Sequence, residues 1–307
     1  MIKVAFLGTP YIGSAALKSL MDNEKIEVVV VVTTKDKAIG RSHSTLRSSP
    51  VAEMAERNDL PIIKTNSINE DIEKLKKYNF DYILTCAFGQ FLSDDVLALP
   101  TKKALNIHGS LLPEGRGGAP LHWAIINGKK KTGFSVMEMV SKMDAGDYYS
   151  QYEIKISESD TVDDLFTNMS NLILDKTAQG VIEVDKGKKA TQQKEDEVTF
   201  WMNVKKEDAK IDFNNIALDI HNRIRGVTSK PGAWAKIGDK IVKLIKSSIT
   251  NDKSDEPPGK IVKIDDLGAH ISTLDYNILI KEMTLEGFKK TIFGKNTGKQ
   301  YLNKLIK

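Results

Sequence analysis

Short apolar runs that alternate with amphipathic segments dominate the first half of the chain. Residues 2–7, 26–34 and 82–88 are mostly apolar, which is typical of strands buried on both faces of a parallel sheet. Between the first two runs, residues 11–21 carry apolar side chains at the spacing of one helical face. Strands that alternate with helices predict a parallel, doubly wound sheet of the α/β class.

The pattern changes near residue 185. Residues 185–197 are polar and charged, as in a linker between domains. A helix with Ile216, Ile220 and Ile224 on one face follows and ends at Gly226. The short strand-like runs after it are separated by Gly, Asp and Pro, and they predict a small β-barrel or sandwich, for which an OB-type barrel is one candidate. We therefore expect a first domain over 1–188, a linker over 189–206 and a C-terminal domain over 207–307.

Composition is that of a soluble globular protein. The 307 residues are enough for two domains, and 40% are hydrophobic and 28% charged. The longest apolar run is too short to span a membrane, and the strand pattern that opens the chain predicts no targeting segment. The single cysteine, Cys86, excludes internal disulfides and a cysteine-based zinc cluster, and the five histidines lie far apart. We expect no metal ion and a cytoplasmic, reducing location.

Charge is distributed unevenly along the chain, whose net charge is +4. From residue 201 onward there are 20 Lys and Arg against 13 Asp and Glu, whereas residues 1–200 carry 25 against 28. A basic C-terminal part suggests an anionic partner such as nucleic acid. From the charge by itself, a lysine-rich solvated surface is an equally good interpretation.

A polar stretch over residues 33–48 connects the second apolar run to the next helix. It shows no periodicity and exceeds the length of about two to six residues that is usual for such a connection. Four of its residues are basic, so phosphate contact is one hypothesis and an ordinary solvated loop is the other. These four are Lys35, Lys37, Arg41 and Arg47. Ser49 and Pro50 then open the helix as its cap and first residue.

The candidate chemistry lies between residues 106 and 144. Asn106 and His108 stand two residues apart at the end of a short strand, so their side chains share one face. An amide donor beside an imidazole can stabilise an oxyanion and relay a proton near neutral pH, which suits acyl transfer to an amine. Asp144 is a candidate for the third group that orients the imidazole. Surface or capping roles are the more common alternative when spacing alone is considered.

Two further segments favour a ligand site at the same strand ends. The loop after His108 is rich in Gly and Pro, and loops at the strand ends of α/β proteins commonly hold ligands. Gly89 ends the apolar run over residues 82–88 and permits close approach of a ligand to the backbone, although it suits a simple turn as well.

The motifs resemble those of a known family. In chain order they are Phe6-Leu7-Gly8-Thr9-Pro10, Gly40-Arg41, Ser49-Pro50-Val51, Asn106-Ile107-His108-Gly109-Ser110-Leu111-Leu112-Pro113, Arg116-Gly117-Gly118-Ala119-Pro120, Asp144-Ala145-Gly146-Asp147, Ile224-Arg225-Gly226 and Pro231-Gly232-Ala233-Trp234. Over nearly its full length the chain resembles the methionyl-tRNA formyltransferases, which belong to the folate-dependent formyltransferases. The Asn-x-His motif with Ser-Leu-Leu-Pro is shared with glycinamide ribonucleotide and amino-sugar formyltransferases, so the basic loop and the C-terminal part narrow the choice.

The resemblance implies a fold and a reaction. A Rossmann-like formyltransferase domain would be joined to a C-terminal OB-like β-barrel that binds tRNA. A formyl group would pass from the co-substrate 10-formyltetrahydrofolate to the α-amino group of methionine on initiator tRNA, in support of translation initiation. Asn106 and protonated His108 would stabilise the oxyanion of the tetrahedral intermediate, and Asp144 would orient His108 and help to move the proton. A monomer without membrane contact is expected.

The resemblance also implies two binding surfaces. The folate site would be lined by Phe88, Gly89, Gln90, Phe91, Leu92, Ser110, Leu111, Leu112 and Pro113. The acceptor end of the tRNA would be held by Lys35, Lys37, Arg41 and Arg47, and the basic C-terminal domain would contact its outer phosphates. Glu114-Gly115 stands where the family carries a basic residue and an aromatic residue, which predicts a different packing of this loop.

Two other functions are open at this point. An amino-sugar formyltransferase would use the same three catalytic residues on a nucleotide-linked amine, and the long basic loop and the basic C-terminal part argue against it. An RNA-binding protein with an inactive formyltransferase domain is the second, and the intact Asn106, His108 and Asp144 argue against that.

Overall fold

The fold is given by a computed structural model that describes residues 1–39, 45–285 and 299–307. The chain forms two compact units. Unit 1 comprises Met1–Gly117, Thr132–Ile154 and Phe166–Phe200, and unit 2 comprises Gly118–Lys131, Lys155–Leu165 and Trp201–Lys307. Each unit is thus built from several chain segments. The predicted domains over 1–188 and 207–307 are each one continuous segment, and these bounds stay a prediction.

Strands and helices alternate through the first half of the chain. The elements are β1 (Ile2–Gly8), α1 (Tyr11–Met21), β2 (Ile26–Thr34), β3 (Lys37–Ile39), β4 (Thr45–Arg47), α2 (Pro50–Arg57), β5 (Ile62–Thr65), α3 (Ile72–Leu75), β6 (Tyr82–Cys86), α4 (Asp94–Leu97), β7 (Lys103–His108) and α5 (Pro120–Ile126). They continue with β8 (Lys131–Glu138), β9 (Tyr148–Lys155), α6 (Val162–Asp185), α7 (Ala217–Gly226), β10 (Trp234–Ile237), β11 (Lys240–Lys253), β12 (Ile261–Asp265), β13 (Gly268–Ile271) and β14 (Tyr276–Leu285).

A seven-stranded sheet in the order β5-β2-β1-β6-β7-β8-β9 forms the centre of unit 1. Five neighbouring strands run parallel to one another, namely β5, β2, β1, β6 and β7. The next strand, β8, pairs antiparallel with β7. All of β6 and six of the seven residues of β1 are buried, because helices cover both faces of such a sheet. The prediction of a parallel-rich α/β sheet is confirmed. The strand order reverses between β1 and β6, and α/β sheets bind ligands beyond the carboxyl ends of strands at such a point.

Helix ends follow the local signals in the sequence. Ser49 caps α2 by accepting a hydrogen bond from Ala52 N at 3.0 Å, and Pro50 is the first helical residue. Gly226 ends α7, and a Cβ at this position would stand 2.7 Å from Ile126 Cγ1 of α5, so the two helices approach only because the residue is glycine. Among the helices in the ranges given above, none is both long enough and apolar enough to cross a membrane.

Unit 2 contains a five-stranded antiparallel sheet in the order β10-β11-β14-β13-β12. Its inner side chains form one apolar core with Ile220 and Ile224 of α7, which confirms a C-terminal β domain. In the part of the chain that the structure describes, β10 and β12 do not pair directly to close a barrel. The last residues lie along both edges instead, where Lys307 N donates to Lys236 O at 2.8 Å and Ile306 N donates to Gly259 O at 2.8 Å.

Candidate active site

Strand β7 carries Asn106 and His108 to the C-terminal edge of the unit 1 sheet. Asn106 lies opposite Thr85 of β6 on one side and Met137 of β8 on the other, and His108 lies opposite Ser135. His108 is 5% exposed, whereas Asn106 is partly exposed. An amide and an imidazole on one strand face therefore stand at the sheet edge where α/β proteins hold ligands.

The Asn106 side chain is oriented by a hydrogen bond from the neighbouring strand. Thr85 Oγ1 donates to Asn106 Oδ1 at 2.7 Å, and Thr85 is 4% exposed. When the amide oxygen accepts this bond, the Nδ2 group turns away from Thr85. Nδ2 is thus available to donate to another partner, as the stabilisation of an oxyanion requires.

Both ring nitrogens of His108 face hydrogen-bond acceptors. Nε2 lies 2.8 Å from the carbonyl oxygen of Gly115, and Nδ1 lies 3.5 Å from Asp144 Oδ1. Because a carbonyl oxygen only accepts, Nε2 carries a proton. A doubly protonated ring satisfies both contacts, whereas a neutral ring would direct a lone pair at the carboxylate. The arrangement can therefore hold a positive charge close to Asn106.

Asp144 is held in an unusual backbone conformation. Its φ of 48° lies in the left-handed region, which residues other than glycine rarely adopt. Asp144 Oδ2 accepts a hydrogen bond from Gly117 N at 2.9 Å, and Oδ1 faces His108. A Cβ on Gly146 would stand 2.0 Å from Glu138 O, so this loop passes tightly against the end of β8. The fold brings Asp144 to His108 across 36 residues of sequence.

A buried arginine links the Asp144 loop to a later segment of the chain. Arg116 is fully buried, and its Nε donates to Gln193 Oε1 and its Nη2 to Glu195 Oε1, both at 2.9 Å. Gln193 Nε2 donates in turn to the carbonyl oxygens of Asp144 at 2.8 Å and Gly146 at 2.7 Å. The guanidinium beside Glu195 holds the pKa of that carboxyl below its usual value. Loops far apart in sequence are cross-linked through this cluster.

The predicted folate residues after His108 form a loop that is anchored on β8 and β9. Ser110 Oγ donates to Glu114 O at 2.7 Å, and Leu112 N donates to Ser135 Oγ at 3.1 Å. Leu112 O accepts from Gln151 Nε2 at 2.7 Å. In this loop Leu112 is buried, and its two neighbours, Leu111 and Pro113, are partly exposed.

The predicted folate residues after β6 divide into two groups. Phe88 and Leu92 are buried in the unit 1 core, and Gln90 is bound to a neighbouring turn because its Oε1 accepts from Ile68 N at 2.9 Å. In contrast, Phe91 is 66% exposed. Gly89 has a φ of 77°, and no heavy atom lies within 4 Å of where its Cβ would stand. Gly89 and Phe91 are thus the exposed residues of this set, Gln90 is partly exposed, and Phe88 and Leu92 are buried.

The basic stretch contains a hairpin that its sequence pattern did not indicate. β3 and β4 pair antiparallel, with Lys37 opposite Arg47. Lys35, Lys37 and Arg47 are exposed, and Arg41 lies outside the described residues. Three of the four predicted tRNA residues therefore present their charges to solvent.

Both ends of this hairpin are tied to β5 through one lysine. Lys64 Nζ forms an ion pair with Asp36 Oδ1 at 2.8 Å and donates to Ser48 Oγ at 3.2 Å. The hydrogen bond from Lys64 lowers the pKa of Asp36 below its ordinary value. The hairpin thus leaves the sheet from a fixed base.

Thiol and metal chemistry find no support among the described residues. Burial raises the pKa of the Cys86 thiol to about 12, so a reactive thiolate is not formed near neutral pH. In the ranges that the structure describes, no group of three or more His, Cys, Asp or Glu side chains is placed to hold a metal ion. The polar groups at the end of β7 remain the candidate chemistry.

Sequence reasoning missed three residues of this site. Thr85 and Gln193 were not singled out, and Arg116 was noted only as part of a motif. Thr85 is recognisable only from the register between β6 and β7. Gln193 stands in a polar stretch that is typical of a linker. Its side chain is 5% exposed, and this burial, which identifies it as part of the site, is seen only in the structure.

Two family models match the chain. The formyl transferase model matches residues 2–184, and the model of the formyl transferase C-terminal domain matches residues 203–301. The chain is 42% identical to a methionyl-tRNA formyltransferase of Mycoplasma capricolum subsp. capricolum over an alignment of 308 positions, which covers 99% of this chain and 96% of that relative.

Two solved structures share the fold. An N-formyltransferase from Helicobacter canadensis, solved with folinic acid and dTDP-3-aminofucose, superimposes with a TM-score of 0.69 at 19% identity, and the match covers 92% of this chain and 99% of that chain. A methionyl-tRNA formyltransferase from Clostridium thermocellum has a TM-score of 0.58 at 21% identity and covers 82% of this chain and 96% of that one. At these identities the likeness concerns the fold alone.

Proposed function

The chain belongs to the formyl transferase family, and on this premise we propose that it transfers a formyl group from 10-formyltetrahydrofolate to the α-amino group of methionine on initiator tRNA. The similarity to a methionyl-tRNA formyltransferase supports this assignment because it extends along the whole chain. The proposed role is to supply formylated initiator tRNA to translation.

The observation that carries the proposal is the convergence of three polar groups at the end of β7. Asn106 has its amide nitrogen freed by the Thr85 bond, and His108 Nδ1 lies 3.5 Å from Asp144 Oδ1. Acyl transfer to an amine requires a donor for the oxyanion and a group that accepts a proton. All three residues belong to unit 1.

In the proposed step the substrate amine attacks the formyl carbon, the carbon–N10 bond breaks, and the proton lost by the amine is passed to N10. Asn106 Nδ2 donates to the oxyanion, and protonated His108 stabilises it by its charge. The Nε2–H of His108, which donates to Gly115 O in this structure, is the N–H that can be redirected to the oxyanion. Asp144 orients the ring and helps to move the proton from the amine.

The residues of the proposed folate site fit a planar, partly apolar molecule. Phe91 exposes an aromatic ring, and the space above Gly89 is open to a ligand. Leu111 and Pro113 add apolar surface from the anchored loop after His108. 10-Formyltetrahydrofolate supplies the formyl group, and these residues would hold it while the buried Phe88 and Leu92 support them from the core.

The proposed tRNA surface has two parts. The exposed Lys35, Lys37 and Arg47 hold the acceptor end together with Arg41, and the basic domain over 207–307 contacts outer phosphates. Phosphate contacts position a nucleic acid without reading its sequence, and their affinity falls steeply with salt. We also propose that the enzyme acts as a monomer and in the cytoplasm, where translation uses the product.

The deciding experiment measures transfer of labelled formyl from 10-formyltetrahydrofolate to initiator methionyl-tRNA. Nucleotide-linked amino sugars serve as parallel acceptors, because they test the nearest alternative with the same chemistry. Rapid transfer to the tRNA alone is the expected result. Transfer to the sugar instead, or no transfer by a protein that binds tRNA, would contradict the proposal.

The catalytic assignment has its own test in three single substitutions, Asn106→Ala, His108→Ala and Asp144→Ala. An oxyanion donor contributes about 2.7–4 kcal/mol in comparable sites, and a positioned acid or base contributes about 10²–10⁴-fold. Each variant should therefore lower kcat by at least about 10²-fold while circular dichroism shows an unchanged fold. Near-normal turnover of His108→Ala would refute the assignment.

A further inference from the structure

Residues 191–200, which we call the strap, contact the loops that carry the candidate active site. At its start, Thr191 N donates to Tyr148 O at 2.7 Å. At its end, Arg116 N donates to Thr199 O and Gly115 N donates to Thr199 Oγ1, both at 2.9 Å. The strap and all of these partners belong to unit 1, so the segment is bound to the catalytic unit at both ends.

We propose that Gln193 of the strap is a positioning residue that holds Asp144 against His108. Gln193 is 5% exposed, and its Nε2 donates to the carbonyl oxygens on either side of Ala145, those of Asp144 at 2.8 Å and Gly146 at 2.7 Å. Within the ranges that the structure describes, the hydrogen bonds of the Gln193 side chain go to Arg116, Asp144 and Gly146 and not to His108. Its effect on the reaction therefore passes through Asp144. This inference rests on the proposed function.

The need for an outside restraint follows from the backbone of Asp144. Its φ of 48° is a conformation that costs free energy for a residue with a Cβ, and such a conformation persists only where surrounding contacts impose it. Two donated hydrogen bonds to the carbonyl groups of this loop provide that restraint. The carboxylate then points with Oδ1 at His108 and Oδ2 at Gly117.

The side chain at position 193 must combine an acceptor with two donors. Gln193 Oε1 accepts from Arg116 Nε, and the two hydrogens of Nε2 serve the two carbonyl groups. A primary amide offers this combination on one planar group, and a carboxylate offers acceptors only. A glutamate would therefore keep the bond to Arg116 and lose both bonds to the Asp144 loop.

The same strap also restrains the second acceptor of His108. Gly115 O accepts from His108 Nε2, and Gly115 N is held by Thr199 Oγ1. One segment thus fixes the Asp144 carboxylate through Gln193 and the Gly115 carbonyl through Thr199. Because a misplacement of about 1 Å at a reacting group lowers a rate by about 10²-fold, release of the Asp144 loop should slow the chemical step.

The test compares Gln193→Ala and Gln193→Glu with the control Gln192→Ala, which removes the same side chain from the adjacent exposed position. We expect both variants at 193 to lower kcat by about 10- to 100-fold, with KM for tRNA and folate changed by less than about threefold. The control should match the wild type. If Gln193→Glu kept full activity, the bond to Arg116 alone would matter and the proposal would be wrong.

A double-mutant cycle with Asp144→Asn separates positioning from a general structural effect. Single-turnover rates with enzyme in excess are measured for the two single variants and for the double variant, and melting temperatures check that all of them are folded at the assay temperature. If Gln193 acts through the Asp144 carboxylate, Gln193→Ala should change the rate of the Asp144→Asn enzyme by less than about twofold. A full additional loss in the double variant would overturn the proposal.

Failure of this inference is distinguishable from failure of the proposed function. A wild type that transfers formyl to initiator methionyl-tRNA and an Asp144→Asn variant that is slowed by at least about 10²-fold but still measurable would support the function. Unchanged kcat in Gln193→Ala would then reject the inference alone. A wild type that transfers nothing to methionyl-tRNA would instead reject the function on which the inference rests.

Discussion

Replacing Thr85 with valine removes one hydroxyl group from β6 and leaves the shape of the side chain nearly unchanged. The hydroxyl donates to Asn106 Oδ1 at 2.7 Å, and it is the group that turns Nδ2 of Asn106 away from β6. In Thr85→Val the amide loses this bias and can rotate to present its oxygen where a donor is needed. The variant therefore tests whether the orientation of Asn106 matters for turnover.

The magnitude follows from the 2.7 Å bond to Asn106 Oδ1, since the hydroxyl has one hydrogen to donate and its two other contacts, with Leu105 O and Met139 Sδ, are both 3.4 Å long. One hydrogen bond of this kind contributes about 0.5–1.5 kcal/mol net, which corresponds to a rate factor of about 2- to 13-fold. Asn106→Ala removes the donor itself and should cost at least about 10²-fold. Thr85→Val should therefore lower kcat by an intermediate amount, about 3- to 10-fold. KM should stay unchanged, because the donor acts on charge that develops in the transition state.

The assay is steady-state formyl transfer, with kcat and KM determined for both substrates. Thr85→Ser keeps the hydroxyl and should stay close to the wild type, whereas Thr85→Val in an Asn106→Ala background should cause no further loss. Equal activity of Thr85→Val and wild type would show that the hydrogen bond from Thr85 does not matter for turnover. So would a loss in Thr85→Ser as large as in Thr85→Val, since shape rather than the hydrogen bond would then be responsible.

Three more predictions address binding and stability. Arg41→Ala should raise KM for tRNA and leave folate affinity unchanged, measured as transfer rates over a range of salt concentrations; an equal loss of both affinities would contradict the role of the basic stretch. Burial lowers the pKa of His221, so the unfolded chain binds this proton more readily and stability should fall as the pH drops below about 6.5. When the pH is lowered from about 7.5 to about 5.5, the melting temperature of His221→Gln should fall by less than that of the wild type. Equal falls in melting temperature would exclude a contribution from His221. Gly133→Ala would place a Cβ 2.0 Å from Tyr152 O, and overpacking of this kind should destabilise the protein by about 1–3 kcal/mol in chemical denaturation; an unchanged midpoint would show that β8 yields freely there.

Most of the fold could be predicted because its signals are local. Apolar runs such as that of β6 identify strands buried on both faces, and caps such as Ser49 identify the start of a helix. The hairpin of β3 and β4 escaped prediction because three-residue strands show too few alternations to reveal a period. Whether the C-terminal sheet closes directly into a barrel could not be decided from the sequence either, since pairing between edge strands depends on contacts distant in sequence.

In the candidate site, too, local features could be predicted and contacts distant in sequence could not. That Asn106 and His108 share a face could be predicted from the sequence, because alternation along a strand is a local property. In contrast, the folded chain was needed to see that Asp144 reaches His108, that Thr85 bonds to Asn106 and that Gln193 bonds to the Asp144 loop. These contacts join residues 21 to 49 positions apart, and they depend on strand register and on how loops cross at the edge of the sheet. Spacing along a chain does not encode such distances, because the packing of the whole unit sets them.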